Sequence, residues 1–248
     1  MSGRSYGLIA AFAALVLAAD PGAGQVPGAD MPIMQPDIFT YVALDELEFK
    51  ATGDEWAIEY DGELWVGGDF NRLWFKAAGE QATSSSDGYA DIQALYSRAL
   101  SSFWNVQVGP RLEVLYGDGS LTRAHLAAGF QGLAPYWFEV EAFAFVSQDG
   151  DLSARAEVSY DVLLSQRMMI ESEVETHVSA SASEEWGLDS GINEVELGSR
   201  LRYEIVREFA PYIGYSWTRL VAGTADLARD AGRDVGHGAL VVGVHFWW

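Results

Sequence analysis

From Phe39 to the last residue the chain alternates between polar and apolar positions. In RMMIESEVETHVSASA (167–182), Glu171, Glu173, Glu175 and His177 occupy every second position, with Ile170, Ser172, Val174, Thr176 and Val178 between them. Successive side chains of a strand point to opposite faces, so this run reads as one strand with an acidic wall and a mostly small or apolar wall. A helix, turning about 100° per residue, would smear the glutamates over both sides. The same alternation holds in SARAEVSYDV, where Ser153, Arg155, Glu157, Ser159 and Asp161 oppose Ala154, Ala156, Val158, Tyr160 and Val162. It recurs in NEVELGSRLRYE and VQVGPRLEV. It blurs in the first strand, where Asp45 and Glu46 cannot share a face.

The pattern predicts strands near 39–50, 54–66, 70–79, 88–99, 103–115, 121–132, 136–147, 151–163, 167–180, 192–205, 210–221 and 238–248. Their connections fall into two sets. One is long and polar (EQATSSSDG, YGDGS, SQDGD, ASASEEWGLDSG, AGTADLARDAGRDVG) and the other short (GGD, SSF, LAP, LSQ, REFA), with the brief ATGD as the exception in the long set. Long loops at one end and tight turns at the other, on an even strand count, describe an antiparallel up-and-down β-barrel of the outer-membrane type.

A soluble sandwich or barrel with its apolar face inward would alternate in the same way, so size has to decide. About eight strands already enclose an interior that side chains just fill, and twelve lined with Ala, Val and Leu would leave a dry void. The expected fold is therefore an all-β transmembrane barrel of about twelve strands with the charged face toward the lumen. Aromatics near strand ends (Trp56, Tyr136, Tyr203, Trp217) fit interface girdles. The closing HFWW puts Phe246 and Trp248 on the lipid face.

The start, MSGRSYGLIAAFAALVLAADPGAGQ, carries Arg4, an apolar Leu8–Ala18 and small residues near Ala18 and Ala19, the parts of a secretory signal. The apolar run falls short of the ~20 residues a spanning helix needs, which disfavours a membrane anchor. The expected organisation is a signal peptide at 1–19, a flexible periplasmic tail at 20–37 that is rich in Pro and Gly, and a barrel at 38–248. The 248 residues hold 36 acids against 15 bases, a formal charge of −21. Such a surplus repels nucleic acid and attracts cations. Cysteine is absent, which removes disulfides, thiolate metal sites and a Cys nucleophile.

By strand parity Glu139, Glu141, Glu157, Glu171, Glu173, Glu175, Glu194 and Glu196 face inward with Arg111, Arg155, Arg200 and Arg202. Two readings stand: an Arg–Glu ladder that stiffens the barrel, or a cation-attracting conduit, since unmatched carboxylates hold hard or borderline cations. His125, His177 and His245 also fall on inward faces. His177 beside Glu175 and Glu173 is the foremost metal candidate, imidazole with carboxylate suiting copper or zinc. Met31 and Met34 in the tail offer thioether sulfur to Cu(I), against the plainer reading of an inert linker. No GxSxG elbow, phosphate loop or Cys/His zinc motif occurs, so the expectation is a non-enzyme. His177 with Ser179 leaves an outer-membrane lipid hydrolase as the catalytic rival.

LWVGGDFNRLWFKAAGE (64–80), ALYSRALSSFWNVQVGPR (94–111), GFQGLAPYWFEVEAFAFVSQDGDLSARAEV (129–158) and RLRYEIVREFAPYIGYSW (200–217), with GTADLAR (223–229), resemble the copper resistance protein B family. The resemblance spans nearly the whole chain after the tail. It implies an outer-membrane barrel of copper tolerance, surrounded by outer-membrane lipid, that binds copper ions or passes them through an acidic lumen and works with periplasmic copper-handling proteins. Where family members commonly carry a long Met- and His-rich N-terminal segment, this chain has Met31 and Met34. The remaining alternative is a structural barrel or a general small-solute channel without a metal role.

Overall fold

The computed structural model describes residues 37–53, 55–117 and 119–248. The expected signal peptide and nearly all of the tail, including Met31 and Met34, lie outside the described residues. Twelve strands follow in order: β1 (Phe39–Thr52), β2 (Glu55–Gly67), β3 (Asn71–Ala82), β4 (Gly88–Ala99), β5 (Trp104–Tyr116), β6 (Leu121–Leu133), β7 (Glu139–Ser147), β8 (Leu152–Leu163), β9 (Met168–Ser179), β10 (Gly191–Tyr203), β11 (Phe209–Leu220) and β12 (Gly236–Trp247). Each pairs antiparallel with its sequence neighbours, and β12 pairs with β1 to close the barrel. The seam is laced to the end of the chain, with Val42 and Trp248 exchanging backbone hydrogen bonds of 2.8 Å. Closure leaves no unpaired edge, as a structure surrounded by lipid requires.

The outer skin is apolar. Phe49, Phe75, Val108, Leu126, Val158, Val174, Leu201, Ile213, Leu240 and Val242 are all exposed on it. A contiguous apolar surface of this extent is far beyond the few hundred Å² that soluble proteins leave bare, and it fits a bilayer. The long connections and the turn between β1 and β2 lie at one end of the barrel, the loop end. The termini and short connections lie at the other, the turn end.

Three local departures from the expected elements have physical causes. The pairing of β1 shifts register after Leu44 against both neighbours. This β-bulge turns Asp45 and Glu46 to the same side, and both line the lumen. The expectation that they cannot share a face is thereby corrected. Strand β7 begins at Glu139 rather than near 136, because Pro135–Trp137 form a short 3-10 turn with Tyr136 and Trp137 at φ of 67° and 69°. The long connection after β11 contains a helix, α1 (Ala222–Asp230), that packs on β10. Thr224 anchors it: its Oγ1 accepts from the Asp189 backbone at 3.0 Å and from Asn193 Nδ2 at 2.9 Å.

The interior has two unlike sectors. Across β3 to β7, Trp74, Leu95, Ala127, Phe143 and Phe145 form a buried apolar cluster with Trp65 against it. Large residues here face small ones, Phe143 opposite Gly129 and Phe145 opposite Ala127. A Cβ on Gly129 would come within 2.6 Å of the Phe143 ring, so only glycine admits that ring. On β1, β2 and β7 to β10 the inward side chains are rich in carboxylates.

Candidate functional site

The lumen holds a cavity of about 940 Å³ whose wall carries seventeen carboxylates and seven cationic side chains. Strand register decides how they meet. Glu141 on β7, Glu157 on β8, Glu175 on β9 and Glu196 on β10 are direct cross-strand partners in turn, a row of four like charges. Glu48 on β1, Glu59 on β2 and Glu80 on β3 make a second row of three. Like charges placed directly opposite destabilise a sheet, so such rows carry a cost that an interior built for stability alone would avoid.

Cations secure the ends of the first row. Glu141 pairs with Lys76 and accepts from Arg155 Nη2 at 2.5 Å. Lys50, itself buried, lies 3.5 Å from Glu196 and also meets the second row, 2.7 Å from Glu59 and 3.7 Å from Glu80. The middle of the first row is different. Among the described residues no cationic nitrogen lies within 4.0 Å of Glu157, and Glu175 is met by His177 Nε2 at 2.5 Å. Carboxylate oxygens of Glu157, Glu173 and Glu175 all lie within 4.8 Å of one another.

Glu173, two residues before Glu175 on β9, accepts from Arg200 Nη1 at 3.0 Å. That guanidinium reaches Glu46 at 2.6 Å and Glu48 at 3.1 Å, and the Tyr212 hydroxyl donates to Glu48 at 3.0 Å. Arg200 thus braces β10 and β9 against β1. Nearer the turn end, Arg202 pairs with Glu171 and lies 3.6 Å from Asp161.

The candidate residues do not form one centre. Glu173, Glu175 and His177 come together, with His177 partly open to the cavity. His125 lies in the packed sector, its side chain 2% exposed, with Nε2 2.7 Å from Glu113 and the ring edge-on to Phe145. His245 is near the turn end, its Nδ1 3.3 Å from the Asp45 backbone oxygen. Met31 and Met34 lie outside the described residues. Ser179 lines the same lumen wall as His177, whose Nε2 is engaged by Glu175.

Sequence reasoning placed Glu157 inward without assigning it to the site, and it overlooked the acids of β1 and β2. For β2 the signal was present, since Glu59, Asp61 and Glu63 recur at every second position. For β1 the bulge hid it. Carboxylate oxygens with one imidazole form a donor set for a borderline divalent ion such as Cu(II), rather than for Cu(I), which favours sulfur.

Comparison with known proteins places this geometry in context. The family described as "Copper resistance protein B precursor (CopB)" matches residues 38–248. A copper resistance protein B homolog of Pseudomonas syringae pv. tomato is 36% identical over 211 residues, covering 85% of this chain and 70% of that protein. Copper resistance protein B of Escherichia coli is 36% identical over 207 residues, covering 84% and 69%. Among solved structures, a NanC porin superposes with a TM-score of 0.51 at 13% identity, over 84% of this chain and 99% of that one. At that identity the likeness concerns the fold, an outer-membrane barrel.

Proposed function

Because this chain belongs to the copper resistance protein B family, we propose that its outer-membrane barrel contributes to copper resistance by taking copper ions into the acidic lumen and binding or passing them there. The observation that carries this reading is the glutamate row on β7 to β10, whose centre combines Glu157, Glu173 and Glu175 within 4.8 Å and His177 against Glu175. In outer-membrane barrels the long loops face the exterior and the short turns the periplasm, so the lumen would join the two.

Copper acts here as cargo. The surplus of carboxylates draws divalent cations into a low-dielectric bore, where attraction exceeds that in bulk water. Glu157, Glu173 and Glu175 exchange hydration water for carboxylate oxygen. His177 supplies the nitrogen that favours copper over calcium or magnesium, provided the ion displaces the Glu175 contact. Arg200 on Glu173 and Lys50 on Glu196 compete with the ion and limit how tightly it is held.

The test is copper(II) titration of the purified full-length mature barrel in detergent, followed by electron paramagnetic resonance. Glu173→Gln together with His177→Ala should weaken binding at least about tenfold, or 1.4 kcal/mol, and remove the nitrogen hyperfine signature. A deletion strain should be copper-sensitive, and the double variant should fail to restore tolerance. Unchanged copper binding in the variant would reject the site. Unchanged tolerance in the deletion strain would reject the copper role.

A purely structural barrel has one observation in its favour, the Arg200 brace across three strands. It predicts no copper binding by the lumen and no loss of tolerance on deletion.

A further inference from the structure

The connection between β9 and β10 does not stand clear of the barrel. Residues Ser183 and Leu188 exchange backbone hydrogen bonds of 2.8 and 3.1 Å, closing a compact turn with Gly187 at φ 66°. The side chains of Trp186 and Leu188 line the lumen. Opposite them, Arg123 projects inward from β6, where it is a direct cross-strand partner of Glu113. Its guanidinium sits 4.3 Å from the centroid of the Trp186 ring, and its Nη2 donates to Ser183 Oγ at 2.9 Å. Strand β6 is separated from β9 by β7 and β8 around the wall. A loop leaving β9 can reach the lumen side of β6 only by passing over the sector of the mouth between them.

The crossing is supported at its base as well as at its tip. Asn193, 2% exposed, donates to the Asp189 backbone and to Thr224 Oγ1, tying the end of the loop to α1. On the other side Ser181 Oγ donates to Asp151 Oδ1 at 2.9 Å, joining it to the connection between β7 and β8. The loop is therefore a preformed strap, fixed at both feet and latched to the β6 wall by Arg123. Stacking of Arg on Trp adds a cation–π attraction to the hydrogen bond that the guanidinium donates to Ser183.

We propose that Arg123 and the Ser183–Leu188 turn form the size-limiting constriction of this barrel, admitting small hydrated ions at the loop end and excluding organic solutes. The inference rests on the reading that ions enter the lumen, and it is independent of which ion they are. An aromatic and a leucine at the throat offer an organic solute no room and a hydrated cation no trap. The carboxylates that hold a cation lie further in.

The full-length mature barrel in planar bilayers with potassium chloride tests this without copper. Wild type should conduct weakly, and Arg123→Ala and Trp186→Ala should each raise the conductance several-fold. In liposome swelling, a pentose should enter only through the variants. Heat-modifiable gel migration verifies that each variant is folded. Replacing Ser183–Leu188 by two glycines removes the strap with the β6 wall intact, and it should give the largest opening. Folded variants that conduct no more than wild type would overturn the proposal, as would a wild-type barrel that already passes the pentose. Neither result bears on copper binding to the glutamate row, whose failure would be read separately by titration.

Discussion

The two sectors of the lumen wall obey different rules. Across β3 to β7 an apolar cluster packs against the wall among buried polar side chains, Trp74, Leu95, Phe143 and Phe145 filling space over Gly129 and Ala127. From β7 through β10, and on β1 and β2, carboxylates stand directly beside carboxylates. A twelve-strand barrel is too wide for side chains to fill evenly. Filling one side removes much of the void and leaves the bore off-centre, with its acids gathered on the open side. One sector stabilises the barrel by packing, and the other sets like charges side by side, which costs stability.

The largest effect expected from this division is in the packed sector. Phe143→Ala should cost about 3–5 kcal/mol, because the ring is 2% exposed and Gly129 opposite it cannot fill the cavity left behind. Urea unfolding in lipid vesicles measures this. Copper titration of the same variant should match wild type. A variant that loses copper binding while remaining folded would show that the two sectors are not separable.

Next in size is the orientation of the wall itself. Val174 lies on the outer skin between two lumen-facing glutamates and is 48% exposed. Val174→Arg should destabilise by about 2–4 kcal/mol if it meets hydrocarbon near the bilayer midplane. Arginine there in a water-exposed position would cost almost nothing. Unfolding free energies of the two proteins decide between them, and near-equality would break the assignment of inner and outer faces.

Much of this was legible in the amino-acid sequence, and the parts that were not share a cause. Period-two alternation located all twelve strands, because the bilayer and the lumen impose opposite demands on adjacent side chains. The same parity, carried along EVEAFAFVS, puts Phe143 and Phe145 on the lumen side with Glu139 and Glu141. A hydrophobic residue on the inner face nevertheless goes unremarked when the inner face is taken to be polar. The bulge at Asp45 and Glu46 cannot be read from alternation, since a bulge is the breaking of alternation. The helix at 222–230 sits in a segment whose polar and small residues also suit a loop. Most of all, register is a property of pairs of strands. Glutamates at every second position are visible in one strand, but that Glu141, Glu157, Glu175 and Glu196 fall side by side depends on the offsets between four.

That row supports the smallest and most discriminating expectation. Glu157 is a direct partner of both Glu141 and Glu175, and it has no cationic nitrogen within 4.0 Å among the described residues. Glu157→Gln keeps the shape of the side chain, exchanges one acceptor oxygen for an amide donor and removes one of three crowded negative charges. Directly opposed like charges destabilise a sheet, so the substitution should stabilise the barrel by about 0.5–1 kcal/mol in urea unfolding. The same variant should bind copper(II) more weakly, since the charge that destabilises the wall is the one proposed to hold the ion. A gain in stability with a loss in affinity is the signature of a site maintained for function at a cost in fold. If Glu157→Gln instead destabilises the barrel by 1 kcal/mol or more, Glu157 is an integral part of the lumen network. The acidic sector would then be architecture of the same kind as the aromatic one.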